Sequence, residues 1–342
     1  IATAQAAITD STTEKTRTQG LGLIGAAFGL GFIVGPVIAF VSLAVTDNNY
    51  HAPALAAAGF SLLSILLTVF WFKETLPEEH RGEGTEKPAF SFGAMLKALS
   101  YPAVGILLIL MFAQQLAFGG FEQLLSLFTL SRLGLNAAGN SIVFVYIGII
   151  VVAVQGGLIG KWSRKYGDRR LIYAGLALMA VGLILLGLTP KHPVPWYSES
   201  AMTEELTGNR NLPGETPPSQ NVALGLPDET DKGWLGLIWL MVAVVPASIG
   251  GGILQPAINS LITKRVKNDE TGGILGISSS FVSAANALAP LLGGFIFQAL
   301  GASAPFVIGG VLSGIMLVVA MQQVKPGKEE KMVAGLARGG GH

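Results

Sequence analysis

Eight stretches of this chain, at about 20–46, 54–72, 102–130, 139–160, 171–189, 234–262, 272–300 and 303–322, are long, apolar and almost free of charge. A helix of about 20 such residues crosses the hydrocarbon core of a bilayer. In lipid every backbone N–H and C=O has to be satisfied within the protein, so runs of this length fold as helices. A soluble chain with eight of them would need solvated faces, and these segments have none. Charged residues make up only 13%, against roughly 25% in a soluble domain, and they cluster between the stretches. The fold class is therefore all-α, a polytopic membrane bundle with about eight complete transmembrane helices.

The connections set the expected orientation. If successive spans alternate in direction, 18 of the 22 Lys and Arg residues fall on the side holding 9–19, 73–101, 161–170, 263–271 and 323–342. Only Arg132, Lys191, Arg210 and Lys232 fall on the other. Short cytoplasmic loops collect Lys and Arg, so the first side is expected to be cytoplasmic, with both visible termini on it. The expected location is a plasma (inner) membrane. The long connection 190–233 is rich in Pro, Glu, Asp and Asn and reads as a solvated, partly disordered excursion outward. Ile1 to Ile8 reads as the tail of a helix already under way, so the chain is expected to be an N-terminally truncated piece of something longer.

Two of the stretches repeat one pattern of small residues and proline. The first is Gly22-x8-Gly31-x3-Gly35-Pro36; the second, 254 residues later, is Gly276-x8-Ala285-x3-Ala289-Pro290, followed by Gly293-Gly294. Small residues at such spacing admit a neighbouring helix closely, and proline removes one backbone bond and bends the helix. Ordinary close packing uses the same residues. Distant spans that echo one another suit a duplicated transporter. The first copy resembles the antiporter signature on the fifth helix of the major facilitator superfamily, although Ala39-Phe40 stands where that signature ends in Gly-Gly.

The segment Gly160 to Arg170 resembles the same superfamily's loop signature in its C-terminal-half version. Gly160, Arg164, Gly167, Arg169 and Arg170 match approximately, and Ser163 stands where an Asp is expected. The resemblance implies a cytoplasmic gating loop that latches one conformation; positive-inside bias alone also accounts for its charges. Ala4 to Asp10 resembles the end of the fourth helix, which implies that Asp10 takes part in a charge pair; a plain helix-end role is equally open. The resemblance places the chain from the end of helix four through helix twelve, nearest to proton-coupled drug and tetracycline-type efflux carriers. The implied organisation is 1–72 as the remainder of an N-terminal bundle, 73–101 as a cytoplasmic linker, 102–322 as a C-terminal six-helix bundle and 323–342 as a tail.

Glu122 is the one charged residue inside these spans. A charge in hydrocarbon costs about 2.5–3.5 kcal/mol on insertion scales, so it faces a cavity or a partner. A carboxyl that takes a proton from one side and releases it to the other is what proton coupling requires, which makes Glu122 the coupling candidate. The bland alternative puts it in the headgroup zone near Arg132. Gln114, Gln115, Gln155, Gln255, Asn259 and Asn286 are candidates for the substrate cavity, though interhelical amide pairs also stabilise bundles. Gln255-Pro256 and Asn259, following Gly250 to Gly252, suit a flexible gate.

No histidine pair has metal-ligand spacing, cysteine is absent, and no phosphate-binding glycine loop or hydrolase constellation can be assembled. No enzyme activity, metal or cofactor is expected. The expected partners are a small-molecule substrate, protons and the lipid bilayer, with no nucleic acid, and the chain is expected to act as a monomer. The expected function is proton-coupled antiport exporting a small amphipathic or cationic drug-like compound. The competing readings are a metabolite carrier for a sugar or organic acid, and a non-transporting sensor.

Overall fold

The structure is a computed structural model that describes residues 2–46, 51–72, 92–101, 104–207, 225–266, 271–324 and 326. Among the described residues eight helices are long and apolar enough to cross a membrane. The protein is a multi-pass integral membrane protein. A short α1 (Ala2–Asp10) leads to α2 (Arg17–Val45) and α3 (His51–Trp71). Helix α4 (Phe92–Leu99) precedes α5 (Gly105–Leu133), and α6 (Ala137–Val152) continues through a π-helical turn, Ala153–Leu158, into α7 (Ile159–Tyr166). Next come α8 (Asp168–Gly187), the short α9 (Glu199–Thr207), α10 (Leu235–Thr263), α11 (Thr271–Leu300) and α12 (Ala304–Gln323).

The ends of these helices follow local chemistry. At the end of α5, Gly134 takes a left-handed conformation (φ +63°) and its N–H reaches the Leu130 carbonyl, while the Leu135 N–H reaches Thr129, a glycine-closed C-terminus. Asn136 then caps α6, its side chain accepting from the Gly139 N–H at 3.0 Å. The sharpest junction is Gly167 (φ +79°), the single residue between α7 and α8. That corrects the expected basic connection 161–170. Lys161 to Tyr166 complete a helix and Asp168 to Arg170 begin the next, so the turn shrinks to one glycine.

Helices α5, α8, α10, α11 and α12 pack around one apolar core. Phe128 and Phe306, their ring centroids 4.5 Å apart, join α5 to α12. Helix α4 leans on α5 and α11, and α1 on α11 and α2. Helix α2 packs across this bundle, on α6, the π turn, α7 and α10. It does so only over its first half: Leu21 is buried, whereas Leu30, Val37 and Val41 are more than half exposed.

The outward excursion differs from expectation at both of its feet. Val194 and Tyr197 are buried in the core, with the Val194 N–H on the Leu133 carbonyl and the Tyr197 ring against Gly134. The Gly233 N–H reaches the Pro193 carbonyl at 2.8 Å, and the Glu199 N–H donates to Glu229 at 2.6 Å. The apolar Val194 and Tyr197 are what draw the segment down. Of the connection 190–233, expected to be partly disordered, residues 208–224 lie outside the described residues, as do most of the expected linker and tail.

Candidate functional site: a polar clasp and an intramembrane carboxyl

At the end of the molecule rich in Lys and Arg, Asp168 is 3% exposed and receives four donors. The Thr18 and Ser163 hydroxyls donate to its Oδ1 at 2.7 and 2.5 Å; the Ser260 hydroxyl and Lys264 Nζ donate to its Oδ2 at 2.8 and 2.7 Å. Thr18 lies on α2, Ser163 on α7, and Ser260 and Lys264 at the end of α10. Four segments therefore meet on one carboxylate. Asp168 also occupies the first turn of α8, where the helix dipole favours a negative charge. A buried ion pair is costly unless its remaining valences are satisfied, and here three hydroxyls satisfy them. Beside it, Arg164 donates to the Gln19 side chain at 2.9 Å, a second link from α7 to α2.

Of the residues expected in this region, Gly160 admits Gln19: a Cβ there would stand 2.7 Å from Gln19 Cβ. Arg169 reaches the Val324 carbonyl at the end of α12 (3.4 Å), and Arg170 is exposed. Ser163, standing where an acidic residue was expected, donates to Asp168 five residues on. Thr18, Asp168, Ser260 and Lys264 were not singled out by sequence. The only signal was an acidic residue directly after the turn glycine. At the end of α1, Asp10 and Glu14 are close enough for their charges to act on Arg17.

Helix α2 meets α6 and α7 through a different set of glycines from the expected one. A Cβ on Gly22 would stand 2.8 Å from Ile159 Cγ2 and 2.9 Å from the Gln155 carbonyl, and one on Gly29 would stand 3.0 Å from Val152. A Cβ on Gly25 would overlap the Gln155 amide. Gly31 and Gly35 have no neighbour within 4 Å of that position, and the Pro36 side chain lies outside the described residues. The second copy behaves otherwise. Ala285, Ala289 and Gly293 form one buried stripe against α5, Ala289 packing by Gly119 and Gly293 by Leu124. Gly276 and Gly294 face open space, and Pro290 is exposed.

Glu122 sits three residues beyond the midpoint of the 29-residue α5, about 4.5 Å along its axis. It is half-buried, and Arg132 is occupied at the helix end with the Ser303 hydroxyl at 2.5 Å. Gln115, Gly119 and Glu122 share one face of α5 at helical spacing. On that face Gln115 Nε2 donates to Asn286 Oδ1 of α11 at 2.9 Å, directly over Gly119. Glu122 has no hydrogen-bond or ion-pair partner among the described residues.

The other amides are tied elsewhere. Asn259 accepts from Ser278 at 2.8 Å, Gln114 is buried with Oε1 unpartnered, and Gln255 is half-buried. Gln155 is clamped between α2 and α10 rather than lining an open cavity. An apolar groove of about 590 Å³, lined by Tyr146, Leu185, Leu237, Met241, Val242 and Pro246 among others, contains none of these polar residues. Among the described residues no cluster of His, Asp and Glu is arranged to hold a metal ion.

The profile of the Major Facilitator Superfamily matches residues 1–198 and 233–335, nearly all of the chain. The chain belongs to the major facilitator superfamily. Among similar proteins are the class D tetracycline resistance protein of Salmonella ordonez, 26% identical over 95% of this chain and 70% of its own length, and the class B protein of Escherichia coli, 23% identical over 87% and 62%. Multidrug resistance protein 1 of Bacillus subtilis is 25% identical over 92% of this chain and 67% of its own. The crystal structure of the human organic anion transporter MFSD10 (TETRAN) aligns with a TM-score of 0.65 at 21% identity, over 92% of this chain and 66% of that one. This superfamily member thus spans about two thirds of the length of such relatives. The segment the profile skips, 199–232, is the one whose feet are tied by Glu229 and Gly233.

Proposed function

We propose that the protein is a secondary active transporter that exports a small amphipathic or cationic drug-like compound in exchange for protons, by alternating access. The observation that carries this reading is the Asp168 clasp. It ties α2, from the first part of the chain, to α7, α8 and α10 at one end, while Leu30, Val37 and Val41 along its far half are exposed. A seam closed by one buried carboxylate and open at its other end suits a gate that alternates. The charge bias supports a cytoplasmic position for the clasp, in a plasma membrane, with the visible termini on the same side. Glu122, near mid-membrane and without a bonded partner, is the residue for taking up and releasing the proton. The export of drugs is supported by the resistance proteins to which the chain is similar.

The test uses the complete protein in proteoliposomes with an imposed proton gradient and tetracycline or a panel of cationic drugs. Drug-evoked proton flux that Glu122→Gln abolishes supports antiport through this carboxyl. Flux that survives Glu122→Gln removes Glu122 from the coupling role. No flux with any drug moves the reading to a metabolite carrier of the same architecture.

A further inference from the structure

We infer that Gln155 is a positioning residue that couples the seam between α2 and α6–α7 to the proline break in α10; this rests on the alternating-access reading. Three observations converge on its side chain. First, Gln155 lies in the π-helical turn Ala153–Leu158, where the Ile159 N–H reaches back five residues to the Val154 carbonyl. Such bulges recur at functional sites. In a straight α-helix each four-residue step overshoots a turn by about 40°. Val151, Gln155, Ile159 and Ser163 would drift off one face. The wider turn takes up that drift, and all four touch α2: Val151 at Gly29, Gln155 at Gly22 and Gly25, Ile159 at Gly22, Ser163 at Thr18.

Second, Gln155 Nε2 donates to the Gly252 carbonyl at 2.8 Å. Residue 256, four further along α10, is Pro256, which has no N–H, so Gly252 lacks its helical donor. The Gln155 amide fills that place. A carbonyl inside the bundle is thus satisfied only from α6–α7.

Third, Gln155 Oε1 is buried, has no hydrogen-bond partner, and is aimed at the bare backbone of Gly25. Any side chain at residue 25 displaces the amide and breaks its bond to Gly252. The amide therefore keeps its bond to Gly252 only while residue 25 is bare, so the α2 contact and the α10 contact are made by the same side chain. Approach of α2 is transmitted through one amide to the position where Pro256 leaves α10 one backbone bond short.

The chain contains no cysteine, so the pair Gln19→Cys with Arg164→Cys, joined by a short bifunctional thiol reagent, reads closure of the seam. In this background Gln155→Ala should lower the ratio of closed to open about three- to tenfold, the loss of one hydrogen bond of ordinary net strength. Pro256→Ala gives Gly252 back an intrahelical donor and should restore most of that loss. Gly25→Ala should lower closure by itself and add nothing in the Gln155→Ala protein. The inference is overturned if Gln155→Ala cross-links like its parent, if Pro256→Ala restores nothing, or if the Gly25 and Gln155 effects multiply. Should Gln155→Ala not fold, the volume-conserving Gln155→Met takes its place in the same cycle. Parental cross-linking that ignores tetracycline and the proton gradient, with the Gln155 cycle as expected, sinks the transport reading and leaves the coupling standing.

Discussion

Helices α2 and α11 carry the same spacing of small residues and proline, and the fold uses them in opposite ways. Helix α11 is docked along a stripe: Ala285, Ala289 and Gly293 all face α5 inside one bundle. Helix α2 is docked at one end, by Gly22, Gly25 and Gly29, and the expected positions Gly31 and Gly35 face open space. A run of small residues says that a helix can be approached. It does not say from which side, because glycines three or four apart serve several faces. What separates the two helices is polar chemistry. The seam of α2 ends in a buried carboxylate with four donors, one of them a charged lysine, whereas the α11 stripe has beside its methyl groups and leucine one neutral amide pair, Gln115 to Asn286.

The comparison breaks first at Asp168. Asp168→Asn leaves Lys264 without its counter-charge, and removing one partner of a buried pair costs about 3–5 kcal/mol. Cross-linking between residues 19 and 164 should fall more than tenfold, while the melting of the α5–α11 bundle moves far less. Equal losses in both would make Asp168 a general stabiliser and erase the contrast. Ala289→Leu should do the reverse. Overpacking the stripe costs about 1–3 kcal/mol and lowers the melting temperature in detergent, with the seam ratio unchanged. Within α2, Gly22→Ala meets the Gln155 backbone and should weaken the seam, whereas Gly31→Ala and Gly35→Ala should stay within about 0.5 kcal/mol of the parent by the same cross-linking assay.

The smallest effect belongs to acid at the base of the 190–233 connection. The Glu199 N–H and the Lys232 ammonium hold the Glu229 carboxyl below its usual range. Its contribution is present above the ordinary carboxylate range and is lost as pH falls through the lowered value. Emission from Trp196 and Trp234, whose rings lie 5.5 Å apart, should stay flat from pH 8 to pH 5 and change only in stronger acid. The residue 19–164 seam should not follow it.

The spans were legible because lipid leaves the backbone one solution, and the glycine turn at Gly167 stood where the basic segment had to reverse. Glu122 stood out for a related reason: it is the lone carboxyl in an apolar run. The clasp was not legible. Besides Ser163 nearby, the partners of Asp168 are Thr18, Ser260 and Lys264, removed by 150, 92 and 96 residues, and no periodicity links them. The role of Gln155 was hidden too, since it depends on a bulge and on a proline 101 residues later. The connection 190–233 was legible only in part: its charges are genuine, but Val194 and Tyr197 at its foot join the core.

The feet of that loop have a practical corollary. Because Pro193 and Gly233 are bonded to each other, and Glu199 to Glu229, the chain enters and leaves this connection at one closed point. A change of length beyond those two bonds should leave α5 and α10 where they are, since the closed base insulates the bundle from whatever is spliced past it.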